Sequence, residues 1–177
     1  MPTAGTVNPF LYGLDEQYLK PYQTNAEQAL LHAQAVAPFL AMQAHAYADG
    51  IELDIASGYR AFTRQQAIWD RKFQHPSRSH LAPLERLADI TQWSALPGTS
   101  RHHWGTDIDL FDASKIARNA LTLEPWEYAN DGPCHALYTW LVEHAPRYGF
   151  FRPYDLDCGG VKPEPWHWSY APVAEDY

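Results

Sequence analysis

The segment Thr106-Asp107-Ile108-Asp109-Leu110-Phe111 alternates polar and apolar side chains. A period of two predicts a strand, and the apolar partners make it a central one. Asp107 and Asp109 then fall on the same face. Burying two carboxylates side by side is prohibitive unless a cation or strong hydrogen-bond donors meet them. The fold must therefore bring such groups to this face. Two stretches can supply them. Ser100-Arg101-His102-His103-Trp104-Gly105 places imidazoles in a turn just before the strand, and Glu164-Pro165-Trp166-His167-Trp168 adds a carboxylate and a further imidazole. A catalytic zinc needs three protein ligands of these types, an open fourth position and a nearby carboxylate to move protons.

The rest of the chain bounds the class. Its 177 residues predict one domain, and 46% hydrophobic with 19% charged residues is globular composition. A formal net charge of −8 argues against a protein built to grip nucleic-acid phosphates. There is no apolar run of the ~20 residues a membrane span needs. The first residues show neither a basic nor an apolar leader region, which predicts either a cytoplasmic protein or a cell-envelope protein whose leader has been trimmed. Cys134 and Cys158 can form at most one disulfide and are too few for a zinc knuckle.

Residues 1–23 read as an irregular segment punctuated by Pro2, Pro9, Gly13 and Pro21, with a single domain over 24–177. Thr24-Asn25-Ala26-Glu27 reads as an N-cap and acidic first turn. The helix it opens runs to Asp49, with Leu31, Ala35, Phe39, Met42 and Ala46 on one face, a kink or restart at Pro38 and a stop at Gly50. Strands are expected at 51–55, 106–111, 150–151 and 166–170. Helices are expected from a capping box at Thr63-Arg64-Gln65-Gln66 to Phe73, over 84–90, and from 131–134 to His144. Helices before, between and after antiparallel-looking strands predict an α+β fold, a small central antiparallel sheet flanked by helices. Pro163 and Pro165 place Glu164 on an irregular lead-in and His167 on the strand proper, so that both can face one metal. The unpaired histidines 32, 45, 75, 80, 135 and 144 read as structural. Trp104, Trp166 and Trp168 read as packing, and Arg71-Lys72 with Arg64, Arg78 and Arg86 as a solvated face.

Three patterns then occur in order: Ser57-Gly58-Tyr59-Arg60 with Gln65; Ser100, His102, Gly105 and Asp109; and Glu164, Trp166 and His167. Together they resemble the zinc D-Ala-D-Ala carboxypeptidase family, metallopeptidases that include the vancomycin-resistance D,D-peptidases, and their Hedgehog/DD-peptidase fold. The resemblance runs from about residue 26 to 171. It implies one zinc ion held by His102, Asp109 and His167, with Glu164 as general base and then general acid. It implies that Arg60 steadies the scissile carbonyl or its oxyanion, and that Gln65 and Ser100 hold substrate. The implied substrate is a peptidoglycan stem peptide or muropeptide cut by a monomer that releases D-Ala. An endopeptidase cutting between L-Ala and D-Glu, or a zinc-stabilised binding module without turnover, would share the same metal residues. Two positions depart from the pattern. Ala61 replaces a common Ser, and Asp107 replaces a common Ala. The extra carboxylate could orient a ligand histidine or pair elsewhere.

Overall fold

The computed structural model describes residues 8–25 and 28–177. Its centre is a four-stranded antiparallel sheet in the order β3-β4-β6-β5, formed by β3 (Leu53–Ser57), β4 (Asp107–Asp112), β6 (His167–Tyr170) and β5 (Phe150–Phe151). A separate hairpin pairs β1 (Leu19–Gln23) with β2 (Gln28–His32). The helices are α1 (Ala33–Ala48), α2 (Phe62–Gln74), α3 (Pro83–Thr91), α4 (His135–His144) and the short α5 (Ala171–Ala174). This is the α+β arrangement read from the sequence.

β4 is buried along its whole length and lies between β3 and β6. Ile108 and Leu110 face the main core, where Leu31, Phe39, Met42, Leu137 and Leu141 from β2, α1 and α4 are fully or nearly fully buried. Each such side chain contributes about 1.5–3 kcal/mol of burial free energy. The opposite face of β4 carries Asp107, Asp109 and Phe111, and Phe111 packs in a second cluster with Tyr128 and Trp166. The strand thus separates an apolar core from a polar site.

The N-terminal reading needs correction. Residues 19–23 are a strand, and 28–32 are its partner rather than the first turns of a helix. Part of the expected cap, Ala26 and Glu27, lies outside the described residues. Leu31 still points into the core with Ala35, Phe39, Met42 and Ala46, but from the strand. Pro21 fits because β1 pairs on one side only, with β2. Pro38 sits inside α1, which runs on through it as one helix. α2 is capped by Ala61 without a side-chain bond, so the expected capping box does not form.

The hairpin positions the site. Tyr59 N–H donates to Leu30 O at 2.8 Å and His32 N–H to Gly105 O at 2.8 Å, tying β2 to both motif loops. A Cβ on Gly58 would lie 2.8 Å from Leu30 O, and one on Gly105, whose φ is +65°, 2.8 Å from His32 N. Both motif glycines are needed because the β2 backbone passes directly against them.

Candidate metal centre and active-site cleft

His102 sits in a 3₁₀ turn (Arg101–Trp104) that Gly105 ends in the left-handed region. Asp109 is directly opposite His167 across the β4–β6 pair. The two imidazole rings meet edge to face with centroids 4.8 Å apart. His102 Nε2 is 3.4 Å from Asp109 Oδ2, and His167 Nδ1 is 3.3 Å from Asp109 Oδ1. All three residues are buried, and one ligand atom from each lies within 4.8 Å of the others.

Hydrogen bonding fixes which ring nitrogens are free. His102 Nδ1 is 2.9 Å from Gly58 O, and His167 Nε2 is 2.8 Å from Asp107 Oδ1. Both partners can only accept, so those nitrogens carry the hydrogens. In their neutral forms His102 Nε2 and His167 Nδ1 therefore turn lone pairs toward Asp109. Among the described residues, the buried Asp109 Oδ1 has no hydrogen-bond partner. Such a gathering of acceptors is unfavourable without a cation. Tetrahedral ligands about 2.0–2.1 Å from one zinc ion lie about 3.3 Å apart. Each imidazole nitrogen stands at about that distance from a different oxygen of Asp109, and one ligand atom from each residue lies within 4.8 Å of the others, close enough for one ion to draw together.

Burial alone would push His167 down, but Asp107, Asp109 and Glu164 around it outweigh that and raise its pKa well above the ordinary histidine value. Burial likewise opposes ionisation of Asp109, yet His102 and His167 hold its carboxyl far below the usual range. The cluster thus favours carboxylates with a positive charge between them.

Asp107 does both things its position allows. Oδ1 accepts from Arg101 Nε at 2.7 Å and from His167 Nε2, while Oδ2 accepts from Thr106 Oγ1 at 2.7 Å and Ser169 Oγ at 2.8 Å. Four donors saturate it, which leaves Asp109 as the strand carboxylate open to a metal. Asp107 holds the ring of His167 in one tautomer.

Glu164 lies just ahead of β6 on the irregular lead-in, where its N–H donates to Tyr154 O at 3.0 Å. Its Oε2 is 3.4 Å from His167 Nδ1. Arg60 donates from Nη1 to Gln65 Oε1 at 2.9 Å and from Nη2 to Ser57 Oγ at 3.0 Å, and Nη2 stands 3.8 Å from Asp109 Oδ2. Glu164, Arg60 and Ser100 line a cleft of about 450 Å³ together with the three clustered residues. Gln65 is brought to the site but not among the residues that line it. Its amide donates to Ala95 O at 2.6 Å while its oxygen accepts from Arg60, so it braces the guanidinium. Trp166 packs against Trp93 and Tyr128 and also lines the cleft. Cys134 and Cys158 are both free thiols.

Sequence reasoning missed Tyr154, whose ring meets His167 with centroids 5.0 Å apart, and the wall formed by residues 122–124. Leu123 there adopts φ +57°. The buried Glu127 fixes it by accepting from Thr122 N–H at 3.0 Å and Glu124 N–H at 2.9 Å. No sequence pattern marks this loop.

The profile of the VanY D-alanyl-D-alanine carboxypeptidase family matches residues 28–173. A D-alanyl-D-alanine carboxypeptidase of Enterococcus faecalis is 33% identical over 131 residues, covering 72% of this chain and 43% of that protein. An uncharacterized protein of Haemophilus influenzae is 42% identical over 83 residues, covering 45% of this chain and 63% of its own length. The chain thus spans less than two thirds of these curated relatives. Among solved structures, VanYB in complex with D-alanine-D-alanine superposes with a TM-score of 0.69 at 26% identity, covering 93% of this chain and 85% of that one. A VanY D,D-pentapeptidase variant in complex with Zn(II) gives 0.68 at 27% identity, covering 92% and 85%.

Proposed function

The chain belongs to the VanY family of D-alanyl-D-alanine carboxypeptidases, and we propose that it is a zinc carboxypeptidase that removes the terminal D-Ala from peptidoglycan stem peptides. The observation that carries this reading is the buried Asp109 carboxylate, its Oδ1 without a hydrogen-bond partner, facing His102 Nε2 and His167 Nδ1, with Glu164 Oε2 beside the same cluster at 3.4 Å from His167 Nδ1. His102, Asp109 and His167 would hold the ion. Zinc bound there supplies Lewis acidity and acidifies water.

The chain's own groups account for the remaining chemistry. Glu164 accepts the proton of the attacking water and returns it to the departing amine, for which a carboxylate at the cleft wall is suited. Arg60, its fork fixed by Gln65 and Ser57, donates to the oxyanion that develops on the scissile carbonyl. Ser100 lines the cleft where the terminal residue would sit. All these groups come from one chain, which suits a monomer. Among the described residues no helix is long and apolar enough to cross a membrane. A substrate of this chemistry would place the reaction in the cell envelope.

Purified protein is expected to carry about one zinc by elemental analysis and to release D-Ala from muropeptides. Glu164→Ala is expected to keep the metal and lose at least about 100-fold in kcat, the lower range for acid–base catalysis. Full activity in that variant removes Glu164 from the chemistry. Mass spectrometry of the products separates D,D from L,D cleavage and from an endopeptidase cut, and absence of any product with zinc bound identifies a binding module.

A further inference from the structure

The cleft does not end at the metal cluster. It continues into a second cavity of about 580 Å³, with Arg60, Lys72, Asp109, Thr122 and Leu123 lining both. The second cavity runs between the start of α2, the ends of β2 and β3, and Arg118 on the segment after β4. Its charge is lopsided. Five of the 13 Lys and Arg residues of a chain with net charge −8 line it: Arg60, Arg64, Arg71, Lys72 and Arg118. Among the described residues the acid that lines it is Asp109, which belongs to the metal cluster.

Arg64, Ile68, Arg71 and Lys72 are spaced i, i+4, i+7 and i+8, one face of α2. The sequence reading took Arg64, Arg71 and Lys72 for part of a solvated face. Arg64 and Arg71 are indeed exposed while Lys72 is half-buried, and the same face forms the rim and wall of the cavity. Arg78 and Arg86 behave differently: Arg78 pairs with Asp89 at 2.6 Å, and Arg86 donates to Phe73 O and Leu81 O. Among the described ion pairs none includes Arg64, Arg71, Lys72 or Arg118. Arg118 is anchored by donating from Nη2 to Ala56 O at 2.8 Å. Lys72 is half-buried. Burial, and then Arg60 among other neighbours, lower its pKa, as expected of a cation crowded by like charges.

We propose that this basic arm is a subsite for a free carboxylate carried by the substrate on the acyl side of the scissile bond, with Lys72 and Arg71 as its specificity-determining residues. The inference rests on the carboxypeptidase reading. In that reading a single small residue leaves, and its terminal carboxylate stays within one residue, about 3.5 Å, of the reacting carbonyl. Arg60, Ser100 and Arg101 line the cleft beside the metal cluster, where that carboxylate would sit. The longer acyl-side peptide leads away from the metal cluster, and the arm offers it four further cations. A charge-assisted hydrogen bond in a partly desolvated cleft discriminates strongly between a carboxylate and its absence.

The test uses the zinc-loaded full chain and two acetylated peptides ending in D-Ala-D-Ala. The residue before them carries either an amine alone (lysine) or an amine and a carboxylate (diaminopimelate). The wild type is expected to favour the carboxylate peptide by about tenfold or more in kcat/KM. The Lys72→Met, Arg71→Gln double variant is expected to bring that ratio near one. A wild-type ratio near one, or a ratio unchanged in the double variant, overturns the subsite. If neither peptide releases D-Ala, the carboxypeptidase reading fails separately. Calorimetric titration of the same two peptides then decides the subsite: tighter wild-type binding of the carboxylate peptide, lost in the double variant, supports it, and equal binding overturns it.

Discussion

At the scale of single residues, the departure at Asp107 is the most informative. Its four donors include the Nε2–H of His167, so the side chain sets which nitrogen of that ring faces the metal cluster. Asp107→Ala is expected to weaken zinc binding by about 10–100-fold, the usual cost of losing the partner of a metal-binding histidine. Competition against a chelating dye measures this. Asp109→Ala, which removes the carboxylate facing both imidazoles, is expected to weaken binding further. Equal affinities of the Asp107→Ala variant and the wild type would mean that Asp107 serves the fold alone.

At the scale of elements, the hairpin explains the motif glycines. Gly105→Ala forces a side chain into positive φ and against the β2 backbone and Leu19. A loss of about 1–3 kcal/mol is expected, read as a lower denaturant midpoint with an unchanged slope. The same hairpin marks where the sequence was hardest to read. Residues 28–31, Gln-Ala-Leu-Leu, merge with the helical periodicity of α1, so a short, partly buried strand could not be distinguished from extra helical turns. Nothing in Gly58 or Gly105 announces which backbone will pass beside it. β4, by contrast, declared itself through strict alternation, and Glu164 through the prolines around it. The three clustered residues and Glu164 were legible because motif spacing encodes local geometry. The bracing role of Gln65, the Glu127-held loop and the cavity-facing side of α2 depend on contacts between distant segments, which spacing does not encode.

For the whole molecule, the tyrosines set an alkaline boundary. Burial, then the carboxylates of Glu16 and Asp15, push the Tyr59 hydroxyl up to about 12. Burial raises Tyr128 further still, and its hydroxyl donates to Leu110 O at 2.7 Å. In the unfolded chain both ionise near pH 10. The unfolded state therefore loses protons first. The stability these groups contribute is fully present below about pH 10 and is lost as pH rises toward 12. Denaturant midpoints are expected to fall across that window. Tyr59→Phe is expected to flatten part of the decline, measured against the wild type at pH 9 and pH 11.

The anchoring of the two clustered imidazoles bears on how an ion is taken up. Gly58 O and Asp107 hold the rings through nitrogens that face away from the cluster. The hairpin and the β4–β6 register hold the backbone. None of these ties is made by the ion. Loading is therefore expected to need no slow ordering of the polypeptide: an arriving cation exchanges its hydration shell for side chains already in place and displaces the His167 proton, and the rate is expected to scale with ion concentration in a single kinetic phase.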